Sequence, residues 1–182
     1  MDSDREDAAR LRRGDSAGLT GLMDRHQDRL LRYLLRFLGD ESVAEDVFQQ
    51  TWLQVAERIA RYDASRPFGP WLFAVARNLA LDHLRRRQPE SLDEVAEPPA
   101  AADDPHTLAV SGQHRGWIVE AVAVLAPLDR EVLSLRFEEE LSLPQLAGTL
   151  GVAVPTAKAR LYRALARLRS LLLAKAPAGE WR

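Results

Sequence analysis

Leu128 to Ala174 reads LDREVLSLRFEEELSLPQLAGTLGVAVPTAKARLYRALARLRSLLLA, and this run constrains the fold more than any other part of the chain. It has the pattern of a helix-turn-helix. A first helix over Asp129–Phe137 carries apolar Val132, Leu133 and Leu135. A second over Leu143–Leu150 turns Leu146, Ala147 and Leu150 inward, and Gly151 supplies the left-handed cap that other residues resist. A third, from about Val154, repeats Val154, Ala157, Leu161, Leu165, Leu168 and Leu172 at three- and four-residue steps, which makes one core-facing stripe. On its exposed arc Arg160, Arg163 and Arg167 fall on one flank and Lys158 and Arg169 on the other, with Ala159, Tyr162 and Ala166 between them. Small residues at the centre admit a groove closely, and flanking cations can meet phosphates on both strands. A solvated arginine-rich surface helix has the same local pattern, so the rest of the chain must decide.

The chain has 182 residues, nearly half of them apolar, enough for one sizeable core or two small ones. It has no cysteine, which excludes disulfides, thiolate metal sites and cysteine nucleophiles and is compatible with a reducing cytoplasm. No apolar run follows the N-terminal MDSDREDAARLRRGD, and no segment reaches the ~18 apolar residues of a membrane span. These features predict a cytoplasmic protein with no membrane insertion. The net charge of −2 conceals segregation: residues 89–112 hold six acids and no Lys or Arg, whereas 154–175 hold six cations and no acid.

Helical periodicity dominates on both sides of one break. Gln88 to Thr107 combines four prolines with acids and alanines, the composition of a linker. The expected architecture is therefore all-α: two small helical domains joined by a flexible acidic linker. The expected division is an N-terminal tail at 1–17, a helical domain at 18–88, a linker at 89–112, the helix-turn-helix domain at 113–175 and a C-terminal tail at 176–182.

In the first domain, Leu19–Leu38 forms a helix with Leu22, Met23, Leu30, Leu34 and Phe37 on its apolar side. Ser42 followed by Glu45 predicts a capping box for the next helix. That helix buries Ala44, Val47, Phe48, Thr51, Val55 and Ile59, and it presents Asp46, Gln49, Gln50 and Leu53 on the opposite face. RYDASRPFGP then forms a shaped loop, and Pro70 suits the first turn of the helix that follows. In WLFAVARNLALDHLRRR, Leu72, Val75, Ala76 and Leu79 face the core, with Arg77, Asn78, Arg85, Arg86 and Arg87 outside.

AEDVFQQTWLQV, then FGPWLFAVARNLALDHLRRR, an acidic linker and the helix-turn-helix together resemble the extracytoplasmic-function (ECF) sigma factors of bacterial RNA polymerase, over residues 18–173. Each motif alone is moderately specific, but their order and spacing are highly so. The resemblance implies a transcription initiation factor, not an enzyme, that needs no cofactor or metal. Region two of that family grips the polymerase clamp and opens the minus-ten promoter element, and region four reads the minus-thirty-five element. The implied partners are core RNA polymerase, through the clamp of its largest subunit and the flap region, promoter DNA, and an anti-sigma factor. Asp46 and Gln49, with Gln50 and Leu53 beside them, match the clamp-contacting positions.

Opening DNA means holding a base outside the stack, at a cost of a few kcal/mol, which aromatic stacking and cationic clamping of the single strand offset. Tyr62, Phe68, Trp71 and Phe73, interleaved with Arg61, Arg66 and Arg77, are suitable materials, although Phe68 and Trp71 at a loop-to-helix junction fit a core more readily than a base stack. Asn78 can pair with a base edge, and Arg85, Arg86 and Arg87 can hold phosphates or complement a helix C-terminus. For the upstream element the corresponding set is Thr156, Lys158, Arg160, Tyr162, Arg163 and Arg167.

The chain departs from the usual pattern of the family at Ala153, where a Ser is common, and at Pro155, where a Gly is common. Losing a Ser cap costs about 0.5–2 kcal/mol, which Pro155 partly offsets by presetting φ. Ala159 removes a hydroxyl, shifting the reading onto Lys158, Arg160, Tyr162 and Arg163, and Gln50 stands where an acid is common. His26, His83, His106 and His114 have no metal-site spacing, and His26 and His83 suit core or boundary positions. The acidic linker fits either a plain spacer or, as in related sigma factors, an anion that fills polymerase channels later taken by RNA. Two other classes fit parts of the pattern. One is a helix-turn-helix regulator with a helical sensing domain, and the other is a sigma mimic that occupies an antagonist without binding DNA.

Overall fold

The computed structural model describes residues 2–87 and 112–175, and every regular element among them is helical. The first region contains α1 (Asp2–Arg12), α2 (Ala17–Leu38), α3 (Glu41–Arg58), a 3-10 turn over Ile59–Arg61 and α4 (Phe68–Arg87). The second contains α5 (Gly112–Ala123), α6 (Pro127–Leu133), a π-type turn over Ser134–Glu138, α7 (Leu143–Leu150) and α8 (Val154–Lys175). The expected linker lies outside the described residues, apart from Gly112 in α5.

Residues 2–12, expected as tail, are instead helical. Acids at the start and Arg10 and Arg12 in the last turn complement the helix dipole, and Ala8 is buried against the core. Such a short, polar helix holds only by docking. Its close approach to α2 requires Gly18, where a Cβ would lie 2.3 Å from the Asp7 carbonyl oxygen. Arg25 of α2 then reaches back to Asp4 at 2.8 Å and Asp7 at 2.7 Å.

The apolar side of α2 buries Leu22, Leu30, Leu34 and Phe37, with Tyr33 beside them. At the start of α3, the cap is Asp40 rather than Ser42: its carboxylate accepts from the Val43 amide at 3.2 Å. An acid two residues earlier in extended conformation takes the capping position, so Ser42 lies within the helix. The capping box appears instead at α7, where Ser142 and Gln145 satisfy each other's amides. Gly151 closes α7 at φ 65, in the left-handed region. The first helix of the helix-turn-helix is shorter than its periodicity predicts, because the π-type turn begins at Ser134. Val154 opens α8 exposed, while Ala157, Leu161 and Leu172 are buried.

The two regions pack on each other, α4 against α7 and α2 against α6, so most of the buried apolar residues from Ala8 to Ala164 form one continuous cluster. No described helix is long and apolar enough to cross a membrane.

Candidate polymerase and nucleic-acid interfaces

α3 separates its two faces cleanly. Val47, Thr51 and Val55 are buried, and Thr51 turns its hydroxyl onto the Val47 carbonyl at 2.7 Å, removing the polar group from the core. The other side leaves Asp46, Gln49 and Gln50 exposed around Leu53, which is 65% exposed. Scattered apolar exposure is ordinary, but Leu53 sits at the centre of a polar stripe, the layout of a contact patch with a polar rim.

The connection from α3 to α4 is compactly tied. Asp63 accepts from the Ser65 amide at 2.9 Å, and the Tyr62 hydroxyl donates to the Arg66 carbonyl. Tyr62 packs with Phe68 and Trp71, with ring centroids 5.4 and 5.2 Å away, and Phe68 also meets the His26 ring at 5.2 Å. Tyr62 and Phe68 are buried as a result, and so is Phe73, leaving Trp71 the partly open ring of this cluster. Arg61, Arg66 and Asn78 are exposed, as are Arg85 and Arg86; Arg87 ends α4, and its side chain lies outside the described residues.

Arg77 departs from its expected place outside. It is 8% exposed because the second region covers it, and its Nε lies 2.7 Å from Glu131 Oε1. The N–H is not aimed at that oxygen, so the attraction is mainly coulombic. The Tyr33 hydroxyl donates to the same oxygen at 3.1 Å. Burial raises the Glu131 carboxyl above its ordinary value, against the opposing pull of Arg77 and the Tyr33 hydrogen bond. Two further acids of the second region pair with arginines of α2: Glu139 with Arg29 at 2.8 Å, and Glu138 with Arg36. Thr149 of α7 donates to the Pro70 carbonyl at 3.2 Å, closing the junction at α4. The helix-turn-helix therefore sits with an acidic edge against the arginine face of α2 and α4.

On α8, Thr156 and Lys158 are exposed, and the Lys158 ammonium lies 5.6 Å from the Tyr162 ring centroid. Arg163 and Tyr162 are half-buried, and Arg167 pairs with Asp129 of α6. Arg160 is half-buried too; desolvation and the nearby Arg77 lower its pKa. Of the arc expected to be exposed on α8, Lys158, Ala166, Arg167 and Arg169 are exposed, whereas Ala159, Arg160, Tyr162 and Arg163 are half-buried, with Arg160 near Arg77 and Glu131 of the junction.

Residue patterning alone missed α1 and the acids of the junction. Both left traces: DREDAARLRR has acids early, cations late and Ala8 and Leu11 three apart, while Glu131 is embedded among Val132, Leu133 and Leu135. His26 is a boundary histidine, as its helix position suggested, with Nε2 3.1 Å from Asp4. His83 is half-buried, and no cluster of metal-ligating residues occurs among the described residues.

Residues 22–90 match Sigma-70 region 2, and residues 115–168 match Sigma-70 region 4. The ECF RNA polymerase sigma factor SigL of Mycobacterium tuberculosis is 36% identical over 87% of this chain and 90% of its own length. SigW of Bacillus subtilis, also an ECF RNA polymerase sigma factor, is 27% identical over 89% of this chain and 92% of its own. Among solved structures, CnrH in complex with the cytosolic domain of CnrY superposes with a TM-score of 0.69 at 26% identity, covering 96% of this chain and 99% of that one.

Proposed function

The chain belongs to the ECF RNA polymerase sigma factors, non-enzymatic subunits of transcription initiation, and we propose that it does this work through three separate faces. The α3 stripe of Asp46, Gln49, Gln50 and Leu53 binds the clamp of core polymerase. The α3–α4 connection and α4 engage the minus-ten element, with Arg66, Trp71, Asn78, Arg85, Arg86 and Arg87 available as the chain stands. Arg77 joins them once Glu131 releases it. Tyr62 and Phe68 support this surface from beneath. α8 reads the minus-thirty-five element through Thr156, Lys158, Arg160, Tyr162, Arg163 and Arg167.

The observation that carries this reading is the α3 face, an exposed polar stripe around an exposed leucine on a helix whose opposite side is fully committed to the core. A regulator with a sensing domain is set aside by the region 2 match, which covers the part that would sense. A mimic that never binds DNA has no use for the cationic arc of α8. The place of action is the cytoplasm, where the polymerase works. An anti-sigma partner completes this reading; the similar protein CnrH is itself found in complex with another protein, the cytosolic domain of CnrY.

The test is in vitro transcription with core polymerase on a genomic fragment library. Discrete start sites that appear only with this protein, and share two upstream elements, are the expected result. Transcripts identical with and without it would reject the reading.

A further inference from the structure

We propose that α1 positions the α3–α4 connection for reading the minus-ten element, and that Arg12 is the positioning residue. The inference rests on the proposed assignment of that connection to the minus-ten element. It arises from where the donors of α1 meet the main chain of that connection. The 3-10 turn over Ile59–Arg61 runs directly into an extended Tyr62, whose amide closes the turn on the Ile59 carbonyl at 3.1 Å. The Arg12 guanidinium adds side-chain donors at both ends of this turn. Its Nη2 donates to the Ile59 carbonyl at 3.3 Å and the Tyr62 carbonyl at 2.7 Å, from a position about fifty residues earlier in the chain.

A second cation of α1 reaches the middle of the same connection, where Arg5 donates to the Ser65 carbonyl at 3.4 Å. These contacts hold main-chain atoms, so they fix the path of the loop while leaving the side chains of Arg61, Asp63 and Arg66 exposed. The Tyr62 ring is locked into the aromatic cluster below, and its hydroxyl holds the Arg66 carbonyl. The loop is therefore anchored at Ile59, Tyr62, Ser65 and Arg66, with α1 supplying the donors at the first three.

Preorganising a reading loop raises discrimination, because a loose loop can adjust to a wrong base and a fixed one cannot. A charge-assisted hydrogen bond to a partly buried carbonyl is strong enough to matter at that level. Arg12 itself need not touch DNA. Its effect is confined to one promoter element, whereas a loss of fold would lower every activity together.

The experiment uses holoenzyme assembled from the full chain, on a template library randomised at the minus-ten element and, in a parallel set, at the minus-thirty-five element. Arg12→Gln is expected to reduce minus-ten discrimination about tenfold, the weight of one charge-assisted hydrogen bond. Minus-thirty-five discrimination and core affinity should stay within about twofold, and Arg12→Lys should recover part of the loss. Amide exchange over residues 59–67 should quicken in parallel. If wild type discriminates at the minus-ten element and both variants match it, the positioning role is overturned while the assignment of the loop stands. Equal losses at both elements would also overturn it, as the mark of a smaller folded fraction. A wild type without minus-ten preference would reject the assignment itself and the inference with it.

Discussion

Nε of Arg77 lies 2.7 Å from Oε1 of Glu131 across the boundary between the two regions, and the two side chains are only 10% and 1% exposed. Breaking one half of a buried pair leaves an uncompensated charge, at about 3–5 kcal/mol if the surroundings stay closed. The two regions can part and readmit water instead, so the cost should appear as separation. Glu131→Ala is expected to raise the radius of gyration in small-angle scattering while helicity is retained. Arg77→Met combined with Glu131→Leu removes both charges and should remain compact. An unchanged radius in the single variant would show that this pair does not hold the regions together.

The α3 face allows a cleaner test, since none of its residues supports the core. Asp46→Ala with Gln49→Ala is expected to weaken binding to core polymerase by about tenfold or more, as truncation of central interface residues does. Melting temperature and helicity should match wild type. Wild-type affinity in the double variant would move the contact elsewhere.

Where local chemistry decides, the fold was readable in the residues. α7 begins at Leu143 and ends at Gly151 because a capping group and a left-handed glycine mark both ends within the sequence itself. At α3, by contrast, two acceptors competed for one role, and Asp40 prevailed over Ser42 through an extended backbone that periodicity does not reveal. The larger departures are long-range. Arg77 has the sequence context of an exposed helix face, and only Glu131, over fifty residues later, turns that face inward. Arg12 looked like part of a charged tail because the carbonyls that order it belong to Ile59 and Tyr62. The α3 stripe was legible for the opposite reason: Asp46, Gln49, Gln50 and Leu53 are exposed, and no distant residue among the described ones turns them inward.

The cations of α8 should separate by their present partners. Lys158 is exposed, and its loss should flatten the plot of log affinity against log salt by about one for a promoter duplex. Arg167 is tied to Asp129, so Arg167→Ala is expected also to lower the melting temperature by loosening α8 from α6. Equal slopes for Lys158→Ala and wild type would remove Lys158 from the phosphate contacts. A Tyr162 substitution that alters base preference without changing the slope would mark a reading residue.

His26 gives the attachment of α1 a dependence on pH. Burial lowers its pKa below the ordinary 6.5; Asp4 opposes the shift, while Arg29 and Arg25 add to it. Phe68 covers the ring from α4. With the folded value lower than the unfolded one, the unfolded chain binds more protons across the interval between them. The contribution is present above about pH 6.5 and is lost as pH falls through the folded value. Glu131 and Glu139 shift in the opposite direction, since burial raises both, so the comparison must be made against a variant that differs only at His26. His26→Gln is expected to flatten the change in melting temperature between about pH 7.5 and 5.5, a range that spans the ordinary histidine value. Asp4→Asn should act differently: it removes the group that favours the protonated ring, so stability should fall more steeply on acidification. Parallel melting curves for wild type and His26→Gln across this range would show that His26 does not carry the pH dependence.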